Sequence, residues 1–576
     1  MRNILTRLFF SACLSLILSS CSQDVAQSPA QNLQVPDSLL SHSKEFDKKE
    51  VVTVTDGVYV AIGYGLANSI MIEGDDGIII VDTMESEAEA LEVKQAFEAI
   101  STKPIVAVIY THNHVDHVAG GGVFADNDRV AIYGHDTLSY YLDRMANVIR
   151  PIIATRSARM FGSHLDDDAL INAGIGPRLN MRNGSQLALA RPNQTFSDRL
   201  TVTVAGVDLE LVHAPGETAD QIFVWLPQQK VLLPGDNIYR AFPNLYTIRG
   251  TAYRDVKQWV SSLDEMRALE PEYLVPSHTK PLEGRQHIQA VLADYRDAIQ
   301  FVHDQTIYGI NQGLTPDQLV ETVRLPAHLA QSPFLKEHYG TVAWSVRAIF
   351  EGYLGWFDGN PSRLLPLSET VRSEHMARLA GGIDALHAQA ELALAQSEYQ
   401  WALELTDHLM LLKPDDESIP LVRKQALIHL GQSQENPNAR HYYLTAALEL
   451  GGGLKPGIEP LVNLEYIHKI PMEVIFSSMA VNLDASEVLN LDQKVNFYFP
   501  DTNEAYSIHL YRGVARMSQQ TLSKADYSIT IDSKIWKEIV AKVRNPVVAF
   551  AQGDVQIVGG VLGAVTFIQL FQPADS

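Results

Sequence analysis

The stretch YTHNHVDHVAGG, residues Tyr110–Gly121, decides what kind of protein this chain forms. It places four potential metal ligands within six positions: His112, His114, Asp116 and His117. The preceding segment PIVAVIY, Pro104–Tyr110, is apolar and predicts a buried strand that runs directly into the motif. Imidazole and carboxylate without thiolate favour Zn²⁺, with Mn²⁺ or Fe as alternatives. The sequence therefore predicts a metal site at the end of this strand.

The spacing of these ligands favours two metal ions over one. Side chains alternate along an extended strand, so we expect His112 and His114 to project to the same side. Asp116 and His117 then come from the turn that must follow. Two neighbouring but distinct ligand sets result, and such sets suit a dinuclear site.

Length and charge limit the possible functions. A chain of 576 residues is too long for one core and predicts roughly three or four domains. The formal net charge of −23 argues against nucleic-acid binding and against adsorption to anionic lipid. An anionic substrate would need local positive charge, which metal ions can supply.

The N-terminus predicts a secreted protein. Residues 1–20 have two arginines followed by an apolar run that is too short for a membrane span, which indicates a signal peptide. The end of this run, Leu18-Ser-Ser-Cys21, resembles a bacterial lipobox, which implies lipid on Cys21 and anchoring in the periplasm, at the outer membrane. Ordinary secretion is the alternative. The only other cysteine, Cys13, would leave with the signal peptide, so we expect no disulfide.

The pattern along the chain predicts a polar tether over residues 21–45 and three domains after it. Residues 46–313 alternate strands and helices, with a hairpin turn at Asp75–Gly77 and an amphipathic helix over Glu87–Ile100. Its apolar face is predicted to contain Ala90, Val93, Phe97 and Ile100. Residues 314–453 are helical, and residues 460–576 predict a smaller α+β domain.

The His-x-His-x-Asp-His pattern resembles the metallo-β-lactamase superfamily, whose αββα sandwich carries a dinuclear metal site. Members need three more ligands, and the chain offers them in His-Ala-Pro-Gly-Glu217, Pro-Gly-Asp236 and Pro-Ser-His278. The resemblance implies one metal on His112, His114 and Glu217. It implies a second metal on Asp116, His117 and His278, with Asp236 bridging the two.

Glutamate in place of the third histidine narrows the resemblance to the alkyl sulfatases, which hydrolyse long-chain alkyl sulfate esters. Further motifs of that branch are NLYTIRG (Asn244–Gly250), RDVKQW (Arg254–Trp259) and YGTVAWSVRAIFEGYLGWFDGNP (Tyr339–Pro361). The resemblance implies two Zn²⁺ per subunit, a helical domain that forms a homodimer, and a sterol carrier-like C-terminal domain. The chain departs from that branch at Asp236, where those enzymes carry glutamate.

These residues predict a hydrolytic reaction. Two divalent ions that share a water can lower its pKa and present hydroxide to an ester. Asp236 and Asp116 are the candidate catalytic carboxylates, and the resemblance assigns the sulfate group to Asn244 and Arg249, with Tyr246 lining the same pocket. Attack at sulfur and attack at carbon both stay open. So do two other functions: a hydrolase of the same fold for another ester, lactone or β-lactam, and a lipid-binding envelope protein without activity.

Overall fold

The computed structural model describes residues 35–452, 454 and 456–571. The predicted signal peptide and the predicted lipid attachment at Cys21 lie outside these residues. Within the described part of the chain, no helix has the length and apolar character needed to cross a membrane.

The last part of the predicted tether is packed against the protein. Helix α1 (Asp37–His42) buries Leu39 completely. Asn172 donates from Nδ2 to the Leu39 carbonyl oxygen at 3.2 Å, and His42 Nε2 lies 2.6 Å from the Gly174 carbonyl oxygen. The polar composition of residues 21–45 concealed this docking because Leu39 and polar contacts of His42, Ser43 and Glu45 carry it.

The first domain contains fourteen strands and eight further helices among the described residues. The strands are β1 (Glu50–Thr55), β2 (Val58–Ile62), β3 (Ser69–Glu73), β4 (Ile78–Val81), β5 (Ile105–Ile109), β6 (Ala131–His135), β7 (Gln186–Leu187), β8 (Gln194–Phe196), β9 (Arg199–Val204), β10 (Val207–His213), β11 (Ile222–Leu226), β12 (Val231–Leu233), β13 (Tyr273–Leu274) and β14 (Leu282–Glu283). The helices are α2 (Glu87–Glu98), α3 (Val115–Val118), α4 (Gly121–Phe124), α5 (Leu138–Asn147), α6 (Arg150–Met160), α7 (Asp167–Leu170), α8 (Val256–Ala268) and α9 (Arg285–Asn311).

Two mixed sheets form the centre of this domain. The first has the order β1-β2-β3-β4-β5-β6-β8, and the second has the order β14-β13-β12-β11-β10-β9. Their inner faces share one apolar core, to which Val60, Ile79 and Leu211 belong. Helix α2 packs against the outer face of the first sheet. Helices α8 and α9 cover the outer face of the second sheet. The predicted αββα sandwich is confirmed.

The predicted hairpin and helix are present, with one difference at the helix end. Strands β3 and β4 pair antiparallel across the predicted turn. Helix α2 begins after Ser86, whose Oγ accepts a hydrogen bond from the Ala88 N–H. Ala90, Val93 and Phe97 are buried, whereas Ile100 lies beyond the helix end and is 41% exposed. The prediction for Ile100 was wrong because the helix ends at Glu98 and Ile100 follows it in a turn.

The second part of the chain is helical, as predicted. We call α10 to α17 the dimerisation region: α10 (Pro316–Thr322), α11 (Ala327–Ala330), α12 (Val342–Leu354), α13 (Glu369–Ala380), α14 (Ile383–Ala395), α15 (Tyr399–Leu412), α16 (Ser418–Gln432) and α17 (Pro437–Glu449). Helix α12 extends the core of α8 and α9 through Val346 and Ile349. The dimerisation region therefore rests directly on the second sheet's helical layer.

The C-terminal part is a small α+β domain, again as predicted. Its elements are β15 (Leu461–Val462), α18 (Leu464–Lys469), α19 (Met472–Val481), β16 (Asp492–Phe499), β17 (Glu504–Tyr511), β18 (Val514–Ser518), β19 (Tyr527–Ile531), α20 (Ser533–Val540), α21 (Pro546–Ala551), β20 (Val555–Val558) and α22 (Val561–Gln569). Five strands form a sheet in the order β18-β17-β16-β19-β20. Strand β15 pairs with β7 and so ties this domain to the first.

Candidate active site

The predicted ligands come from strand ends that meet at one edge of the sandwich. Strand β5 ends at Ile109, so His112 and His114 lie in a loop rather than on an extended strand, which corrects that expectation. Asp116 and His117 lie on the one-turn helix α3. Parallel pairing of β4 with β5 and of β12 with β13 brings the carboxyl ends of these strands together, because parallel strands end on the same side.

The structure places all seven predicted ligands in one buried cluster. Each is at most 9% exposed. Three groups of side chains have ligand atoms within 4.8 Å of one another: His112–His117–Asp236, Asp116–His117–His278 and His114–Glu217–Asp236. Asp236 belongs to two of the groups, which is the position that a bridging carboxylate needs. Their role as ligands stays a prediction.

The spacing within one half of the cluster fits a tetrahedral ion. Nε2 of His117 lies 3.3 Å from Asp116 Oδ2 and 3.5 Å from Asp236 Oδ2. Nε2 of His278 lies 3.6 Å and 3.1 Å from the same two oxygens. A tetrahedral metal with bonds of about 2.1 Å separates its ligand atoms by about 3.4 Å. These four atoms are therefore already spaced as ligands of one ion.

Unsatisfied polar atoms point to the same conclusion. His117 Nε2, Glu217 Oε2 and Asp236 Oδ1 are buried and make no hydrogen bond within the described part of the chain. Among the described residues, the carboxylates of Asp116, Glu217 and Asp236 are buried here together with the guanidinium groups of Arg249 and Arg254. Leaving such atoms unpaired costs free energy, and a divalent cation would satisfy both the lone pairs and the charge. The residues therefore fit a metal centre.

Outer hydrogen bonds orient the imidazoles for ligation. His117 Nδ1 lies 2.7 Å from Asp82 Oδ2, and His278 Nδ1 lies 2.8 Å from the Leu66 carbonyl oxygen. Each contact provides an acceptor for a ring proton on Nδ1, so Nε2 is the nitrogen that would face a cation. Asp82 also accepts from the hydroxyls of Thr111 and Ser277, so one carboxylate organises two ligand-bearing loops.

Electrostatics separate the histidines into two kinds. Burial holds the pKa of His112 and His114 well below the usual value, so both are neutral. Burial also acts to lower the pKa of His117, but Asp236, Asp116 and Asp82 together raise it well above the usual value. The carboxylates thus favour positive charge at the centre of the cluster, as a cation site requires.

The predicted sulfate-binding residues line the same interior. Both amide atoms of Asn244 are buried and make no hydrogen bond within the described residues. Arg249 Nη2 lies 2.9 Å from His114 Nε2. Because a guanidinium only donates, His114 Nε2 accepts this bond. Tyr246 lies between the two in the chain and is half-buried.

Three residues of the site had no predicted role. Arg254 Nη1 donates to Glu217 Oε1 at 2.8 Å and also to the Asn244 carbonyl oxygen. Tyr339 is buried, and its ring packs edge-on against Tyr239, whose ring lies against that of His278. The third residue is Asp82, and the sequence contained a signal for it. Asp82 ends the apolar run of β4, beside the strand that precedes the motif.

Comparisons with known proteins agree with this site. Residues 62–278 match the metallo-beta-lactamase superfamily, residues 315–453 the alkyl sulfatase dimerisation family, and residues 461–576 the alkyl sulfatase C-terminal family. The chain is 34% identical to a linear primary-alkylsulfatase of Pseudomonas sp. over 524 residues, which are 88% of this chain and 99% of that protein. It is 29% identical to the alkyl/aryl-sulfatase BDS1 of Saccharomyces cerevisiae, over 91% of this chain and 82% of the relative.

A solved structure covers nearly the whole chain. The stereoselective inverting sec-alkylsulfatase Pisa1 from Pseudomonas sp. superposes with a TM-score of 0.87 at 26% identity, over 94% of this chain and 87% of that chain. The likeness thus extends through all three domains described above. The chain belongs to the alkyl sulfatases, a family of hydrolases with the metallo-β-lactamase fold.

Proposed function

We propose that this enzyme hydrolyses alkyl sulfate esters to an alcohol and inorganic sulfate, with two zinc ions held by the seven clustered residues. The proposal rests on the cluster itself. Buried ligand atoms without hydrogen bonds lie there together with the amide of Asn244 and the guanidinium of Arg249. When bound, such ions supply Lewis acidity and lower the pKa of a shared water. Imidazole and carboxylate without thiolate support zinc.

Asn244 and Arg249 recognise the sulfate group. A sulfate monoester carries one negative charge and exposed oxygens, so it needs planar donors with fixed directions. Asn244 offers two unpaired amide N–H groups, and Arg249 offers a fork of donors that stays charged. Both are buried, where hydrogen bonds to an anion are stronger than in water. Tyr246 lines the approach to them.

Arg249 has to exchange partners during binding. A neutral His114 that accepts from Arg249 at Nε2 carries its proton on Nδ1, so it cannot also ligate through Nδ1. Ligation through Nδ1 places the proton on Nε2, where it would face the Arg249 donor. With a metal held by His114 at Nδ1, Arg249 would lose this acceptor and its donors would be available to the sulfate oxygens.

The test uses the chain from Ser22 onward, loaded with zinc. We expect two zinc ions per chain by elemental analysis and release of inorganic sulfate from alkyl sulfates of several lengths. Arg249→Ala should lower kcat/KM for sulfate release by about 10²-fold or more, as loss of a preorganised donor does. Arg285→Ala, on an exposed surface ion pair, is the matched control and should keep full activity.

Three results would contradict the proposal. Sulfate release that persists in the Arg249 variant would remove this residue from substrate recognition. One zinc ion per chain would remove the dinuclear centre. No sulfate from any alkyl ester, together with hydrolysis of an uncharged ester that survives Arg249→Ala, would favour another hydrolase of this fold.

We further propose that the enzyme is a homodimer, lipid-anchored at Cys21 in the bacterial envelope. The match to the dimerisation family supports the first part, and the lipobox-like Leu18–Cys21 supports the second. A Cys21→Ser variant of the full chain is expected to leave the membrane fraction and to lose the acyl mass from the processed N-terminus. Unchanged membrane association of this variant would exclude the lipid anchor.

A further inference from the structure

Helix α6 holds the loop that carries Arg249. Arg156 on this helix donates to the Ile248 carbonyl oxygen from Nε at 3.1 Å and from Nη2 at 2.7 Å. The carbonyl of Ile248 and the N–H of Arg249 belong to one rigid peptide plane. Two donors from one planar guanidinium therefore fix the orientation of the peptide plane between Ile248 and Arg249.

Further contacts surround the same loop. Thr247 donates from Oγ1 to Met160 Sδ at 3.2 Å, at the end of α6. Arg249 Nη1 lies 3.9 Å from Met145 Sδ on α5. Gly250 faces Ile153 on α6, since a Cβ added at Gly250 would lie 3.6 Å from Ile153 Cδ1. Helices α5 and α6 thus contact four successive loop residues.

The C-terminal end of α6 is anchored in the dimerisation region. Arg159 forms a bidentate ion pair with Glu449, with contacts of 2.8–3.1 Å. His441 is fully buried, and its two ring nitrogens lie 3.1 Å from the Met160 carbonyl oxygen and 2.7 Å from the Leu170 carbonyl oxygen. Helix α17, which carries both partners, therefore fixes the end of α6 against the dimerisation region.

We propose that Arg156 is a positioning residue for sulfate recognition: it fixes Arg249 through the Ile248 peptide and so connects the dimerisation region to the active site. It acts through Arg249 and does not contact the substrate. The inference rests on the proposed role of Arg249 in binding sulfate. A displacement of about 1 Å in such a group can cost about 10²-fold in rate, so a hydrogen-bonded brace has a measurable effect.

The experiment compares Arg156→Gln, Arg156→Lys and Arg150→Gln in the zinc-loaded full chain. Arg150 lies on the same helix, but its contact is with the Pro460 carbonyl oxygen, away from the loop. Kinetics with octyl sulfate and calorimetric binding of octane-1-sulfonate give KM, kcat and Kd. We expect Arg156→Gln to raise KM and Kd about tenfold, with a smaller effect on kcat, and Arg150→Gln to change neither. Arg156→Lys keeps one donor and should recover part of the loss.

A double-variant cycle separates positioning from general destabilisation. If Arg156 acts through Arg249, then Arg156→Gln has little further effect in an Arg249→Gln background. Equal effects of Arg156→Gln in both backgrounds would overturn the inference, as would an unchanged Kd. Should Arg156→Gln fail to fold, the same cycle with Arg156→Lys decides. If Arg249→Gln itself costs nothing, the proposed function fails, which is a different result from failure of the Arg156 cycle alone.

Discussion

Glu85 shows how one buried carboxyl supports a predicted metal ligand, His278, that it does not contact. Its Oε1 accepts from the backbone N–H of Leu66 at 3.0 Å and of Asn180 at 2.9 Å. The Leu66 carbonyl oxygen in turn faces Nδ1 of His278. Gly65 has to be a glycine here, because a Cβ would lie 2.2 Å from Glu85 Oε2. The loop that orients His278 is therefore held at Leu66, whose N–H donates to Glu85 and whose carbonyl oxygen faces His278.

This carboxyl predicts a pH dependence of stability. Burial raises the pKa of Glu85 from 4.5 to about 8. The folded protein therefore binds more protons than the unfolded chain between these values, and its stability falls as the pH rises through this interval. Glu85→Gln removes that penalty and keeps an acceptor for the two N–H groups. We expect the variant to be more stable than the parent above pH 8 and to show no gain near pH 4.5.

Thermal unfolding followed by circular dichroism across this pH range measures the effect. Glu98→Gln, at an exposed glutamate on α2, is the control and should follow the parent at every pH. Parallel curves for Glu85→Gln and the parent would show that Glu85 is ionised in the folded protein, contrary to this prediction.

At the scale of elements, the sequence pattern predicted strand β5, the hairpin of β3 and β4 and helix α2, and tertiary packing decided where β5 ends. The apolar run before the motif is strand β5, as expected, but it ends at Ile109 because Thr111 is bound to Asp82 through its N–H and its hydroxyl. Those bonds turn the chain before His112. No local pattern contains this information, because Asp82 lies 29 residues away in the sequence.

The aromatic segment YLGWFDG, residues 353–359, is exposed despite its apolar composition. Trp356 is 69% exposed and Tyr353 is 50% exposed. Apolar composition alone cannot distinguish a side chain that is buried within one chain from one that a partner chain covers. The segment lies in the dimerisation region, so contact with a partner chain would account for its exposure.

At the scale of the whole molecule, the dimerisation region carries large apolar side chains outside the core of one chain. Leu365 is 90% exposed. We expect Leu365→Glu to shift the enzyme from dimer to monomer, because a charge there would be buried without a partner at the interface. Sedimentation velocity measures the change, and Leu562→Glu in the C-terminal domain, at a leucine that is 82% exposed, is the control. A dimer that persists in Leu365→Glu would exclude this residue from the interface.

The sequence by itself determined the fold class, the order of the regions and the candidate ligands. Ligand chemistry and strand periodicity are local properties, and the motif at Tyr110–Gly121 states both within a few positions. The family resemblance then supplied Glu217, Asp236 and His278 as candidate ligands, and Asn244 and Arg249 as the proposed sulfate-binding pair.

Only the tertiary structure decided which groups support those residues. Asp82 behind His117, Arg254 between Glu217 and Asn244, and Arg156 behind Arg249 all act between loops or helices that are distant in the sequence. Their partners are up to 92 residues apart in the sequence. A hydrogen bond depends on distance and angle between atoms, and neither is defined until the strands, loops and the dimerisation region have packed together.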